Sequence, residues 1–267
     1  MNKIEKQMYE LVSDLRDNFG AVGLKAEFEA EGTRVEELLR LLEIGHRGNM
    51  KMALKIGGCE AVRDLIESKQ FGVNYIIAPM VETGYALSKY IEAKNKIFNP
   101  DEQEDVDFLF NLETNTGFQN LQDLVEKASV TSGCSGVVFG RVDFVGSKGM
   151  SRDRVDDDVV TRDIVKAAST AKEAGLDLVV GGGISNNALV ALKKIRSVHL
   201  SRFETRKIVF DAGALDISGF ERGLLKAVHF ELLWLLNKRD FYRIITDEDN
   251  KRIDMLEARW KVLSEKY

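Results

Sequence analysis

Cysteine and proline are nearly absent from this 267-residue chain, at two residues each. Two thiols, Cys59 and Cys134, cannot build a disulfide framework, and their separation excludes a CxxC pair. The three histidines, His46, His199 and His229, stand apart from one another and from both cysteines, so no structural zinc site is spelled out. An excess of positive charge is missing too. The formal net charge is -5, which discourages a non-specific nucleic-acid field. No stretch approaches the roughly 18 uninterrupted apolar residues of a membrane span. The longest candidate, Phe230 to Leu236, contains Glu231 and runs into Asn237-Lys238-Arg239-Asp240. The opening residues, Met1 to Lys6, are charged and have no apolar signal core. These absences predict a cytoplasmic protein with neither a nucleic-acid nor a membrane partner.

What is present is enough for a sizeable core: 44% hydrophobic and 30% charged residues, with 22 glycines. Apolar segments near 22–28, 51–56, 75–81, 106–112, 135–142, 176–181 and 207–211 read as strands, and amphipathic segments between them read as helices. The helix after the first strand has Thr33 in capping-box register with Glu36. Repeated βα order over this length predicts an α/β fold, a TIM-like (β/α)8 barrel. We expect residues 1–267 to form a single barrel domain, with 221–267 as a C-terminal helical extension within it. Seven strands are counted where eight are needed. The eighth is expected early, in an atypical N-terminal strand region, or hidden by weak periodicity. An open Rossmann-type sheet is the alternative, but no Gly-rich dinucleotide fingerprint supports it.

In a barrel, functional groups gather where strands end. Glu27, Glu29, Lys55, Glu82, Asn111, Glu113, Arg141 and Asp143 all fall at or near such ends. Glu113 and Asp143 are hard oxygen donors suited to Mg2+ or Mn2+. Asn111 lies two residues before Glu113, on the same side of a strand. It reads either as a group orienting substrate or water, or as polar filling at the barrel mouth.

Three pieces, APMVET at 78–83, NLET with GFQNL within 111–121, and GRVDFVGSKG at 140–149, resemble signatures of the HpcH/HpaI aldolase and citrate lyase beta-subunit family. The resemblance spans roughly Val22 to Leu215. It implies a modified barrel, often oligomeric, with a divalent metal held by Glu113 and Asp143. It also implies chemistry through the metal-stabilised enolate of a small 2-oxo acid, joined to or cleaved from an aldehyde. A cation facing charge that develops during carbon–carbon cleavage is physically coherent with this.

The chain departs from the family pattern in ways that shape the assignment. A substrate-facing Arg is Lys55 here, which keeps the charge but loses the planar fork. The Pro of the G-P-x-D motif is Arg141, so Lys55 or Arg141 is assigned to hold a carboxylate or phosphate. AEFEAEG stands where many aldolase members carry a catalytic His–Asp pair, so Glu27 or Glu29 is the candidate acid or base. Glu82 reads as a pocket anchor or as a loop salt bridge. The turn Gly181-Gly182-Gly183-Ile184-Ser185 reads as a cradle for a phosphorylated substrate, through Gly182, Gly183 and Ser185, or as a tight strand-to-helix turn. The expected function is a metal-dependent carbon–carbon lyase or aldolase. The alternatives are a phosphoenolpyruvate-using synthase, an acyl-thioester lyase, or a non-catalytic metabolite-binding barrel. A homo-oligomer is expected.

Overall fold

The alternation closes into an eight-stranded barrel in the computed structural model, which describes residues 1–264. Around it in order stand β1 (Ala21–Glu27), β2 (Lys51–Lys55), β3 (Tyr75–Ala78), β4 (Asp107–Leu112), β5 (Gly136–Gly140), β6 (Asp177–Gly181), β7 (Arg202–Glu204) and β8 (Ile208–Asp211). The helices are α1 (Lys3–Phe19), α2 (Val35–Arg47), α3 (Val62–Phe71), α4 (Gly84–Ile97), α5 (Asn115–Gln119) and α6 (Leu121–Ala128). They continue with α7 (Arg141–Ser147), α8 (Asp158–Glu173), α9 (Ala188–Arg196) and α10 (Glu221–Ser264). Among the described residues, no helix is long and apolar enough to cross a membrane.

β1 to β7 pair in parallel, but β8 runs antiparallel to both β7 and β1. Only Thr205 to Lys207 connect β7 to β8, whereas a parallel crossover needs about a dozen residues or more. Reversal is the one solution of that length. The Thr205 N–H donates to the Ile208 carbonyl at 2.9 Å, and the Ile208 N–H donates to Thr205 Oγ1 at 3.1 Å. The strand missing from the sequence reading is therefore late, not early. β1 keeps an unbroken register with β2 and shifts register only against β8, between Ala21 and Gly23, so the atypical region lies at the closure of the barrel. Arg202-Phe203-Glu204 is too short to carry a readable period.

Two local boundaries also differ. The cap of α2 is Arg34, whose N–H donates to Glu37 at 3.4 Å, so Thr33 and Glu36 are not the capping pair. The segment expected as a strand to residue 142 ends at Gly140, and α7 begins at Arg141. The C-terminal segment is one helix to Ser264, and residues 265–267 of the expected extension lie outside the described residues.

Strand alternation sorts the side chains into two apolar layers. Outward residues such as Leu24, Leu54, Phe110 and Val180 are fully buried against the helices. Inward, Ala53, Ile77, Leu109, Val138, Val179 and Val209 form a plug inside the barrel. Two residues further along the same strands, still facing inward, come Lys55, Asn111, Gly140 and Gly181. The chain thus changes from apolar filling to polar groups at the end of the barrel where the βα loops gather.

Candidate active site

A cavity of about 380 Å3 opens above the apolar plug. It is lined by Glu27, Glu29, Lys55, Asn111, Glu113 and Asp143, and by Gly182 and Gly183 on the far side. The sequence-assigned groups from five strands therefore converge. Glu82, Arg141 and Ser185 are not among the lining residues.

Glu113 is the most enclosed carboxylate, only 2% exposed. Its Oε1 accepts the Met80 N–H at 3.0 Å and its Oε2 accepts Asn111 Nδ2 at 2.6 Å. Lys55 Nζ stands 3.3 Å from Glu113 and 3.2 Å from Glu29 Oε2. Burial opposes the charge on Lys55, but Glu113, then Glu29 and Glu27, outweigh it and raise the ammonium pKa above its ordinary value. Gly140 leaves the room this arrangement needs. A methyl group there would stand 2.7 Å from both Glu113 Cβ and Glu113 Oε2.

A second charged group lies beside it. Lys25 Nζ bonds Glu27 Oε1 at 3.1 Å and also pairs with Glu204. Arg206 Nη1 lies 4.0 Å from Glu27 and Arg206 Nε lies 3.8 Å from Glu231 of α10. Burial penalises the Glu27 carboxylate, yet Lys25 and then Lys55 hold its pKa below the ordinary value. Sequence reasoning missed Lys25, Gly140, Glu204 and Arg206, all of which line the cavity, as does Arg152, whose loop reads in the sequence as a source of anion donors. Lys25 had a legible signal, being an inward-facing charge within a strand. Glu204 and Arg206 had none, because β7 and the turn that follows it were not recognised.

Arg141 is turned away from this space. It is fully buried, and its Nε and Nη2 donate to the carbonyls of Gly182 and Gly183, each at 2.9 Å. Its Nη1 donates to Asp156 Oδ1 at 2.7 Å. Burial depresses the Arg141 pKa despite the Asp156 partner. The guanidinium therefore staples the turn after β6 to the segment ahead of α8, and its donors do not reach a substrate. Gly182, at φ +84°, requires this turn to be glycine, because a Cβ would meet Val142 N at 2.9 Å. Glu82 contributes a backbone carbonyl to Asn120 Nδ2 at 2.8 Å, and Ser185 is exposed beyond the turn.

The donor chemistry at this end of the barrel is that of a hard divalent cation's ligands. Glu113 and the exposed Asp143 line one cavity, and the buried Asn111 Oδ1 beside Glu113 has no hydrogen-bond partner. These are oxygen donors, with remaining positions for water or substrate oxygens. Among the described residues, no group of three or more His, Cys, Asp or Glu side chains is placed to hold a metal ion. Six lining carboxylates face four lining cations, leaving the cavity net negative.

The fold is similar to that of citrate synthase SbnG, with 15% identity, a TM-score of 0.61, and coverage of 88% of this chain and 90% of that one. It is similar as well to an HpcH/HpaI aldolase from Desulfitobacterium hafniense DCB-2, with 12% identity, TM-score 0.56, and coverage of 72% and 78%. A family protein from Burkholderia cenocepacia J2315 shows 14% identity, TM-score 0.55, and coverage of 83% and 98%. No curated protein sequence matches the chain. Residues 24–192, from β1 into α9, match the HpcH/HpaI aldolase/citrate lyase description, and the chain belongs to that family, whose general chemistry is of the aldolase and lyase carbon–carbon type.

Proposed function

We propose that the chain is a carbon–carbon lyase or aldolase acting on the enolate of a small 2-oxo acid, with Mg2+ or Mn2+ as cofactor. The observation that carries this reading is Glu113, buried beside Lys55 and an unpartnered Asn111 Oδ1 in the cavity that Asp143 also lines. Glu113 and Asp143 would hold the cation, which when bound supplies positive charge to the oxygens of the developing enolate. Lys55 supplies the buried ammonium for the substrate carboxylate, and Asn111 orients the oxygen next to Glu113. Glu29, partly exposed and 3.2 Å from Lys55, is the carboxylate placed to exchange a proton with substrate or water. Glu27 is the weaker base, since its neighbouring cations stabilise its charged form. Arg141 is a positioning residue: it shapes the wall that Gly182 and Gly183 present, and Ser185 and Glu82 act at most through that frame. A phosphorylated or thioester substrate is the second reading, favoured by Arg152 and the two glycines lining one side of the cavity.

The same proposal takes the chain as one functional unit, a cytoplasmic homo-oligomer. Two unpaired cysteines support a reducing compartment. The test is exchange of the pyruvate methyl protons with deuterated solvent, with and without Mg2+ or Mn2+, alongside Mn2+ binding read by electron paramagnetic resonance. Glu113→Ala and Asp143→Ala are expected to lower exchange by at least about 100-fold, the scale of a lost charge-stabilising group, and to weaken Mn2+ binding. Exchange that is metal-independent and indifferent to both substitutions defeats the reading and leaves a binding barrel.

A further inference from the structure

From Arg243 to Ser264, every residue of α10 is exposed, and the helix leaves its own barrel after Tyr242, which bonds Glu37 of α2 at 2.7 Å. Eight of the thirteen exposed large apolar side chains of α10 fall on a seven-residue pattern, in two blocks, while Phe241, Ile244, Ile245, Met255 and Val262 lie off it. Leu225, Val228, Leu232 and Leu235 are spaced three, four and three, and all are exposed. Ile253, Leu256, Trp260 and Leu263 repeat that spacing at the far end, also exposed. Between them, on the same seven-residue register, stand Arg239, Tyr242, Thr246 and Asp249. A 3.5-residue period along one face is the seam of a left-handed two-helix coil. From Leu225 to Leu263 it extends about 57 Å at 1.5 Å per residue.

We infer that two copies of this chain pair through α10, antiparallel, about a two-fold axis beside Ile244. In that register Leu225 faces Leu263 of the partner subunit, Val228 faces the partner's Trp260, Leu232 the partner's Leu256, and Leu235 the partner's Ile253. The two charges within the seam meet as opposites, Arg239 against the partner's Asp249. Parallel in-register pairing would instead set Arg239 against Arg239 and Asp249 against Asp249, which is unfavourable at a desolvated seam. Flanking positions are mixed: Glu231 meets Arg259 and Ile245 meets Ile245, while Arg243 meets Arg243 near the axis. Eight large apolar side chains per chain, on the order of 100 Å2 each, supply about the 800 Å2 per partner of a stable interface.

The pairing also reaches the rim of the site. Val228 and Glu231 line the cavity, so the projecting half of one α10 lays the partner's Trp260 and Arg259 at the rim of the other cavity. This deepens the homo-oligomer in the reading above and is independent of its chemistry, because cross-linking reads the pairing and proton exchange reads the reaction.

Full-length Leu225→Cys and Leu263→Cys proteins, mixed and oxidised, are expected to give a reducible covalent dimer that neither gives alone. Arg239→Asp should raise the dimer dissociation constant by about a hundredfold, as like charges then meet, and adding Asp249→Arg should restore it. With Trp234→Phe leaving Trp260 as the only tryptophan, emission should shift to the red on dilution. Wild-type protein that scatters light as the 30.0 kDa monomer, or Leu225→Cys protein that links to itself, overturns the inference.

Discussion

Glu113 depends on a neighbour that has no side chain. Replacing Gly140 with Ala places a methyl 2.7 Å from the Glu113 Cβ and Oε2, so the carboxylate must turn away from Lys55 and Asn111. Overpacking of this kind costs about 1–3 kcal/mol. Gly140→Ala is therefore expected to remain folded in thermal unfolding while its Mn2+ affinity falls at least tenfold in titration. Glu27 gives a prediction of opposite character. Its folded-state pKa is depressed by Lys25 and Lys55 in spite of burial, so its charge stabilises the fold above the ordinary carboxylate value of 4.5. That stability is lost as pH falls through the folded-state pKa. Glu27→Gln should cost about 1–3 kcal/mol at pH 7, and urea unfolding should show a smaller stability loss between pH 6 and pH 3 than in the wild type. Equal acid sensitivity in both proteins would deny Glu27 this role. At this scale the sequence reading located Glu27 and Glu113 from their strand-end positions, but not Gly140, whose value lies in the space it leaves for a residue on another strand.

The short helix α7 carries Asp143 in its first turn, and its hold on the barrel is aromatic. Phe144 is fully buried, with its ring 4.8 Å from Phe139 of β5 and 5.5 Å from Phe118 of α5, both edge-to-face. A seven-residue helix has little stability of its own, so this cluster is what fixes Asp143 over the cavity. Phe144→Ala should cost about 3–5 kcal/mol and weaken Mn2+ binding although Phe144 is not a lining residue. Unchanged affinity in the folded variant would show that Asp143 is held by something else. The motif containing Asp143 was visible as GRVDFVGSKG, yet the strand was read two residues too far. Strand and helix both accept an apolar pair such as Val142 and Phe144, and the break at Gly140 follows from packing against Glu113.

For the whole molecule, the prominent feature is a 44-residue helix of which only the first half rests on the barrel. Gly223, Ala227, Phe230 and Trp234 are buried or glycine-close against the body, while the projecting half adds nothing to that core. Truncation after Tyr242 should leave the circular dichroism of the barrel and a cooperative unfolding transition, with a midpoint close to that of the full chain. Light scattering should then report a monomer. An assembly that survives truncation would assign the interface to another face of the barrel.

Periodicity is a local property, and what it encodes was legible in the chain alone. The βα alternation determined the barrel class, the signature segments determined the family, and strand-end positions determined half of the cavity's charged lining. The tertiary structure decided the rest. The direction of β8 followed from a three-residue connection that has no room for a crossover. The orientation of Arg141 was decided by carbonyls of Gly182 and Gly183, more than 40 residues away in sequence. Lys25 is held in the site by Glu27 on its own strand and by Glu204, 179 residues distant. A charged side chain at a strand end can face substrate or bind its own backbone, and only the position of distant acceptors distinguishes the two.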